Sequence, residues 1–100
     1  MNRLKPYQIK ALQNIFLGLP GEVYLFGSKV DSQRKGGDVD IVWLTNDKKC
    51  QNLNTKLKLT REYQKINDER IDILILPPED QMSNQEKVFY SCIDKQKLFL

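Results

Sequence analysis

Apolar residues recur along this chain in two rhythms. Between Pro6 and Leu19, the residues Ile9, Leu12, Ile15, Phe16 and Leu19 return at steps of three and four, the spacing of one helical face. Pro6 suits a first turn, where its missing N–H costs nothing, and Gly18 with Pro20-Gly21 ends the segment. The spacing predicts a helix over 5–18. Val23-Tyr24-Leu25-Phe26 is a short, almost uniformly apolar run, as expected of a strand covered on both faces, and Gly27-Ser28 stops it. Lys29 to Gly37 is polar and reads as a loop, with room for one helical turn after Ser28. A second strand follows over 38–44, whose period of two puts Asp38, Asp40 and Val42 on one face and Val39, Ile41 and Trp43 on the other.

Beyond the polar break Thr45-Asn46-Asp47, a second helix is predicted from about Lys48 to Asn67, with Leu53, Leu57, Tyr63 and Ile66 as its apolar residues. Arg70 to Leu76 is a third strand with Asp72, Leu74 and Leu76 on one face, closed by Pro77-Pro78. Ser83 to Glu86 forms a capping box ahead of a last helix, and Lys97 to Leu100 reads as a short extended end. The order specifies an α/β (α+β) fold: a small mixed three-stranded sheet with helices packed on it, one domain over 1–100.

Composition narrows the chemistry. The chain has 100 residues, with 40% apolar and 29% charged, as in ordinary globular proteins. No run approaches a membrane span, and the N-terminus is too polar for a signal peptide, so a cytoplasmic protein is expected. Cys50 and Cys92 stand far apart outside any CxxC pattern and read as inert free thiols. There is no histidine, which excludes Ser-His and Cys-His catalysis and imidazole metal sites. The net charge of +3 is below that of a dedicated nucleic-acid binder but suits an anionic ligand. The lysines of the second helix (Lys48, Lys49, Lys56, Lys58, Lys65) read as a solvated face, and Tyr24 and Trp43 as core.

Three carboxylates interrupt the apolar strands: Asp38, Asp40 and Asp72. Charge in a strand of so small a domain is costly unless paired, hydrated or bound to metal. Asp38 and Asp40 share a face by the strand period, and Asp72 joins them if the third strand pairs next to the second. Oxygen-only ligation with open positions suits Mg²⁺ or Mn²⁺, which take further ligands from substrate phosphates. Two such ions, about 3.5–4 Å apart, would clamp an in-line phosphoryl displacement. Gly27 lets the backbone approach a phosphate, the Ser28 hydroxyl and following N–H groups can donate to it, and Lys29, Arg34 and Lys35 add positive charge.

Gly27-Ser28, a nine-residue loop, Asp38-Val39-Asp40 between apolar flanks, and Asp72 on a later strand together resemble the DNA polymerase β nucleotidyltransferase superfamily. Over nearly the whole chain the likeness is strongest to its minimal nucleotidyltransferases, which pair with HEPN partners in toxin–antitoxin modules. The resemblance implies that Gly27 and Ser28, with Lys29, hold the β- and γ-phosphates of a nucleoside triphosphate. It implies that Asp38 and Asp40 bind the metals and that Asp72 completes the site as ligand, base or both. Where many relatives have Arg after Gly-Ser and Ser before the first Asp, this chain has Lys29 and Gly37; Lys keeps the charge without the bidentate fork.

The expected activity is transfer of AMP from ATP to an acceptor hydroxyl with loss of pyrophosphate. A domain of this size leaves the acceptor to a partner, which by resemblance is a HEPN toxin modified on a tyrosine, making this chain the antitoxin. The rival readings are a non-catalytic module that neutralises a partner by contact, and transfer to a small molecule or an RNA end. The sequence shows no acceptor site for either of the latter, and it leaves homo-oligomer formation open.

Overall fold

The computed structural model describes residues 4–26 and 39–98. Its first element, α1 (Pro6–Ile15), starts where predicted, because the Lys5 N–H donates to the Gln8 side-chain carbonyl at 2.8 Å. Its inward face carries Gln8, Ala11, Leu12 and Ile15, with Phe16 just beyond, while Ile9 and Leu19 only flank the core. Gln8 is the surprise, a fully buried amide. Its second role explains it: Gln8 Nε2 donates to both carboxylate oxygens of Glu69, at 3.3 and 3.1 Å. Tyr63 also donates to Glu69, at 3.2 Å, and burial pushes that phenol up to about 12. The carboxylate thus ties α1 and the following helix to the start of the third strand.

The strands β1 (Glu22–Phe26), β2 (Val39–Leu44) and β3 (Ile71–Leu76) occur as read from the sequence. β1 and β2 are antiparallel, whereas β3 lies parallel to β2. That parallel pairing requires a crossover, supplied by α2 (Leu53–Asn67). Among the described residues the sheet has four strands rather than three, in the order β3-β2-β1-β4. The addition, β4 (Lys95–Lys97), pairs antiparallel with β1; it begins two residues before the expected extended end and overlaps it at Lys97. Its Lys-Gln-Lys sequence carries no apolar alternation because it is an edge strand, where charge is the normal occupant. Lys97 pairs with Glu22 at 2.9 Å, and Lys95 donates to the Tyr90 carbonyl at 2.9 Å while sitting 4.2 Å from that ring's centre.

α2 begins at Leu53, later than the predicted Lys48. Asp47 captures the Lys49 N–H in a turn at 2.9 Å, and Asn52 then caps the helix by accepting from Thr55 N at 2.8 Å. Local side-chain acceptors of this kind compete with helix until a true cap is reached. The helix buries Leu59 and Tyr63, leaving Leu53, Leu57 and Ile66 exposed. The last helix, α3 (Asn84–Cys92), carries the expected box: Glu86 N donates to Ser83 Oγ at 3.2 Å and Ser83 N to Glu86 Oε1 at 2.9 Å. Cys50 and Cys92 are free thiols.

The period of two divides the core. Val23, Leu25, Val39, Ile41, Trp43, Ile71 and Ile73 meet α1 and α2 on one face. On the other, Val42, Leu44 and Leu76 pack with Met82 and Tyr90, flanked by Tyr24, Phe26 and Leu74. At the turn into β1, Gly21 has φ +107°, and a Cβ there would collide with the Leu44 carbonyl oxygen. Gly21→Ala is therefore expected to destabilise the protein by about 2 kcal/mol or more, since strain and overlap act together. Urea unfolding measures this, and an unchanged midpoint would contradict so close an approach.

Candidate active site

Strand pairing brings two of the three predicted carboxylates together. Asp40 on β2 and Asp72 on β3 are direct partners in the parallel register. They point to the same face, from strands spaced about 4.8 Å apart. The row continues across the sheet, because Asp40 is also partner to Phe26 on β1, and Phe26 to Lys95 on β4. One line thus reads Asp72, Asp40, Phe26, Lys95. Like charges directly opposite one another destabilise a sheet. Two aspartates thus stand as neighbours on one face of the sheet.

Their surroundings differ. Asp40 is half-buried on an interior strand, whereas the Asp72 side chain is 68% exposed on the outer strand. Lys56 of α2 stands 3.9 Å from Asp72. Beside Asp40, the Phe26 ring meets Phe89 of α3 edge-on at 6.3 Å. α3 thus walls the β1 side of the row, and α2 reaches it from the β3 side.

The other predicted members, Gly27, Ser28, Lys29 and Asp38, lie outside the described residues. In sequence, Gly27 directly follows Phe26 and Asp38 directly precedes Val39. Among the described residues, no three Cys, Asp or Glu side chains converge as a metal cluster. The pair Asp40 and Asp72 offers an all-oxygen donor set that fits a hard divalent cation rather than a soft one. Sequence reasoning missed Lys56, grouping it with solvated lysines. Nothing local could have singled it out, since its approach to Asp72 depends on where α2 crosses β3.

Residues 12–98 match the family model described as Polymerase beta, Nucleotidyltransferase. The chain belongs to the polymerase beta nucleotidyltransferase family. By family it is thus an enzyme of nucleotidyl transfer. Its fold is similar to a chain of a toxin–antitoxin complex with AMP-PNP, at 18% identity and a TM-score of 0.64, covering 91% of this chain and 72% of that one. It is also similar to a chain of the tri-AMPylated Shewanella oneidensis HEPN toxin in complex with MNT antitoxin, at 22% identity and a TM-score of 0.58, covering 91% and 65%. A nucleotidyltransferase fold from Sulfolobus solfataricus matches at 19% identity and a TM-score of 0.56, covering 91% and 75%. No curated protein sequence matches this family member. Among the described residues, no helix is long and apolar enough to cross a membrane.

Proposed function

We propose that this nucleotidyltransferase moves AMP from ATP to a hydroxyl of a HEPN-type partner protein in the cytoplasm and thereby acts as its antitoxin. The observation that carries the reading is the in-register pairing of Asp40 with Asp72 on one face of the sheet. Two carboxylates opposed in this way form a donor set suited to a shared hard cation.

In this reading Asp38, Asp40 and Asp72 hold two Mg²⁺ or Mn²⁺ ions, and Gly27, Ser28 and Lys29 receive the β- and γ-phosphates. The bound ions would neutralise charge on the reacting phosphates. Asp40 sits centrally in the row and Asp72 on its outer strand; in this reading Asp40 would fix the α-phosphate region and Asp72 would face the incoming acceptor. The acceptor oxygen bonds to the α-phosphorus, the bond to the bridging oxygen of the β-phosphate breaks, and pyrophosphate leaves. The hydroxyl proton passes to Asp72. Support for the partner comes from the toxin–antitoxin complexes that share the fold.

The test is incubation with Mg²⁺, a HEPN-type protein and ATP labelled at either its α- or its γ-phosphate. Only the α-label is expected to reach the partner, and EDTA is expected to stop it. Transfer of the γ-label would make the protein a kinase instead. A stable complex with no label in either case would leave neutralisation by contact.

A further inference from the structure

The layer formed by α1 and α2 covers the sheet face opposite Asp40 and Asp72, since it packs on Val39, Ile41, Ile71 and Ile73. Its charge is one-sided. Within its span α1 contributes Lys10, and α2 contributes Lys56, Lys58, Arg61 and Lys65 against the carboxylate of Glu62. The excess of cations in these two helices exceeds the net charge of +3 carried by the whole chain. Lys56 turns to Asp72 at the edge of β3, and the others stand apart from the carboxylate row. We propose that the outward face of α2 docks a helix of a protein partner, one whose apolar stripe is edged with aspartate or glutamate. This contact is separate from the site of nucleotidyl transfer and does not rest on that reading.

Helical spacing builds the surface. Asn54, Leu57, Lys58, Arg61, Glu62 and Lys65 fall on one outward stripe and line a groove of about 480 Å³. A second groove of about 310 Å³ is lined by Asn14 and Ile15 at the end of α1 and by Glu62, Lys65 and Ile66 of α2. Glu62 and Lys65 belong to both, so the two adjoin as one trough. From Asn54 to Ile66 the trough follows α2 for about 18 Å, the length of roughly three turns of a partner helix. The opposite side of α2, with Leu59 and Tyr63, is buried in the core.

Charge and apolar surface together choose the occupant. Lys58, Arg61 and Lys65 stand exposed along about 10 Å of the helix. Leu57 and Ile66, at either end of the trough, are 41% and 48% exposed. Cations beside exposed aliphatic side chains complement an amphipathic helix laid in a groove, its apolar stripe inward and its acidic borders outward. A polynucleotide is the poorer match. Glu62 lies within the trough, where it would repel a phosphate backbone but can accept from a donor of a protein partner. A second copy of this face fits poorly too, because a two-fold pairing would set the cationic stripe against itself.

The probe is a synthetic helical peptide of about twenty residues, with leucine at every third or fourth position and glutamate along both borders of that stripe. It is titrated into the isotope-labelled full chain and followed by NMR, beside the same peptide with lysine in place of glutamate. The glutamate peptide is expected to bind and to shift the amide signals of α2 and the end of α1, with those of Asp40 and Asp72 unmoved. The lysine peptide is expected not to bind. Arg61→Gln combined with Lys65→Gln is expected to weaken binding about tenfold, and Leu57→Ser about fivefold. Lys48→Gln combined with Lys49→Gln removes the same charge outside the trough and is expected to change binding by less than about twofold. All these side chains are exposed, so the fold is retained. Asp40→Asn is expected to bind the peptide as the wild type does, whatever becomes of transfer. Absence of binding, shifts confined to other elements, or equal weakening by the two charge-removing pairs would overturn the proposal. Tighter binding of an RNA duplex that depends on Arg61 and Lys65 would replace the protein partner with a polynucleotide. A dimer of the wild-type chain that Leu57→Ser disperses would replace it with a second copy.

Discussion

Asp40→Asn is expected to lower the rate of label transfer by about 10²–10³-fold, the scale on which removal of one aimed electrostatic group acts. Asn keeps the volume of the side chain and removes its charge, so loss of transfer reports on charge at the centre of the row. Asp72→Asn is expected to act in the same direction while leaving thermal stability unchanged or slightly higher. The physical reason is the register: Asp40 and Asp72 are direct partners, and like charges so placed cost about 0.2–1 kcal/mol. The lost Lys56 contact is exposed and weak, so it does not offset this gain. A fall in activity with no fall in melting temperature separates a functional carboxylate from a structural one. If Asp72→Asn transfers label at the wild-type rate, Asp72 has no part in the chemistry.

Trp43→Ala carries the largest expected effect on stability. Trp43 is 1% exposed, its ring meets Phe16 edge-on at 5.3 Å, and its Nε1–H donates to the Pro20 carbonyl at 2.8 Å. It thereby joins β2 to the end of α1 and to the turn into β1. Truncating a buried tryptophan costs about 3–5 kcal/mol. A domain of this size holds about 5–15 kcal/mol in total, so the melting temperature is expected to fall by about 15 °C or more. Trp43→Phe keeps an aromatic ring against Phe16 but leaves the Pro20 carbonyl without its donor, at about 1–2 kcal/mol. Calorimetry orders the three proteins, and a Trp43→Phe variant as unstable as Trp43→Ala would place the energy in the hydrogen bond rather than the packing. Because β2 also carries Asp40, nucleotide binding is expected to disappear with the same thermal midpoint.

The features legible in the sequence were those written in short-range periodicity. Strands β1, β2 and β3 follow from apolar runs bounded by Gly, Pro and polar breaks. The face shared by Asp40, Val42, Asp72 and Leu74 follows from the period of two, once β2 and β3 are neighbours. Gly-Ser followed by Asp-x-Asp pointed to the family that the match over 12–98 shows. The features that escaped are long-range or polar. β4 is Lys-Gln-Lys, and its pairing depends on the free edge of β1 rather than on any pattern of its own. Gln8 reads as surface until Glu69, far along the chain, supplies its partner. The inward face of α2 turns on Leu59 and Tyr63; of the four apolar residues read for that helix only Tyr63 is buried, because the imperfect period did not define a face. Lys56 belongs to the same class, since only the packing of α2 against β3 brings it to Asp72.

In the proposed reaction a nucleotide's α-phosphate lies between Asp40 and an acceptor on a partner protein. The most direct measurement is the intact mass of a HEPN-type partner after incubation with MgATP and either the wild-type chain or Asp40→Asn. A gain corresponding to one or more AMP groups with the wild type, and none with Asp40→Asn, is the expected result. An unchanged partner mass in both incubations, with the complex formed equally by both proteins, would contradict catalysis and leave a fold that neutralises its partner by contact.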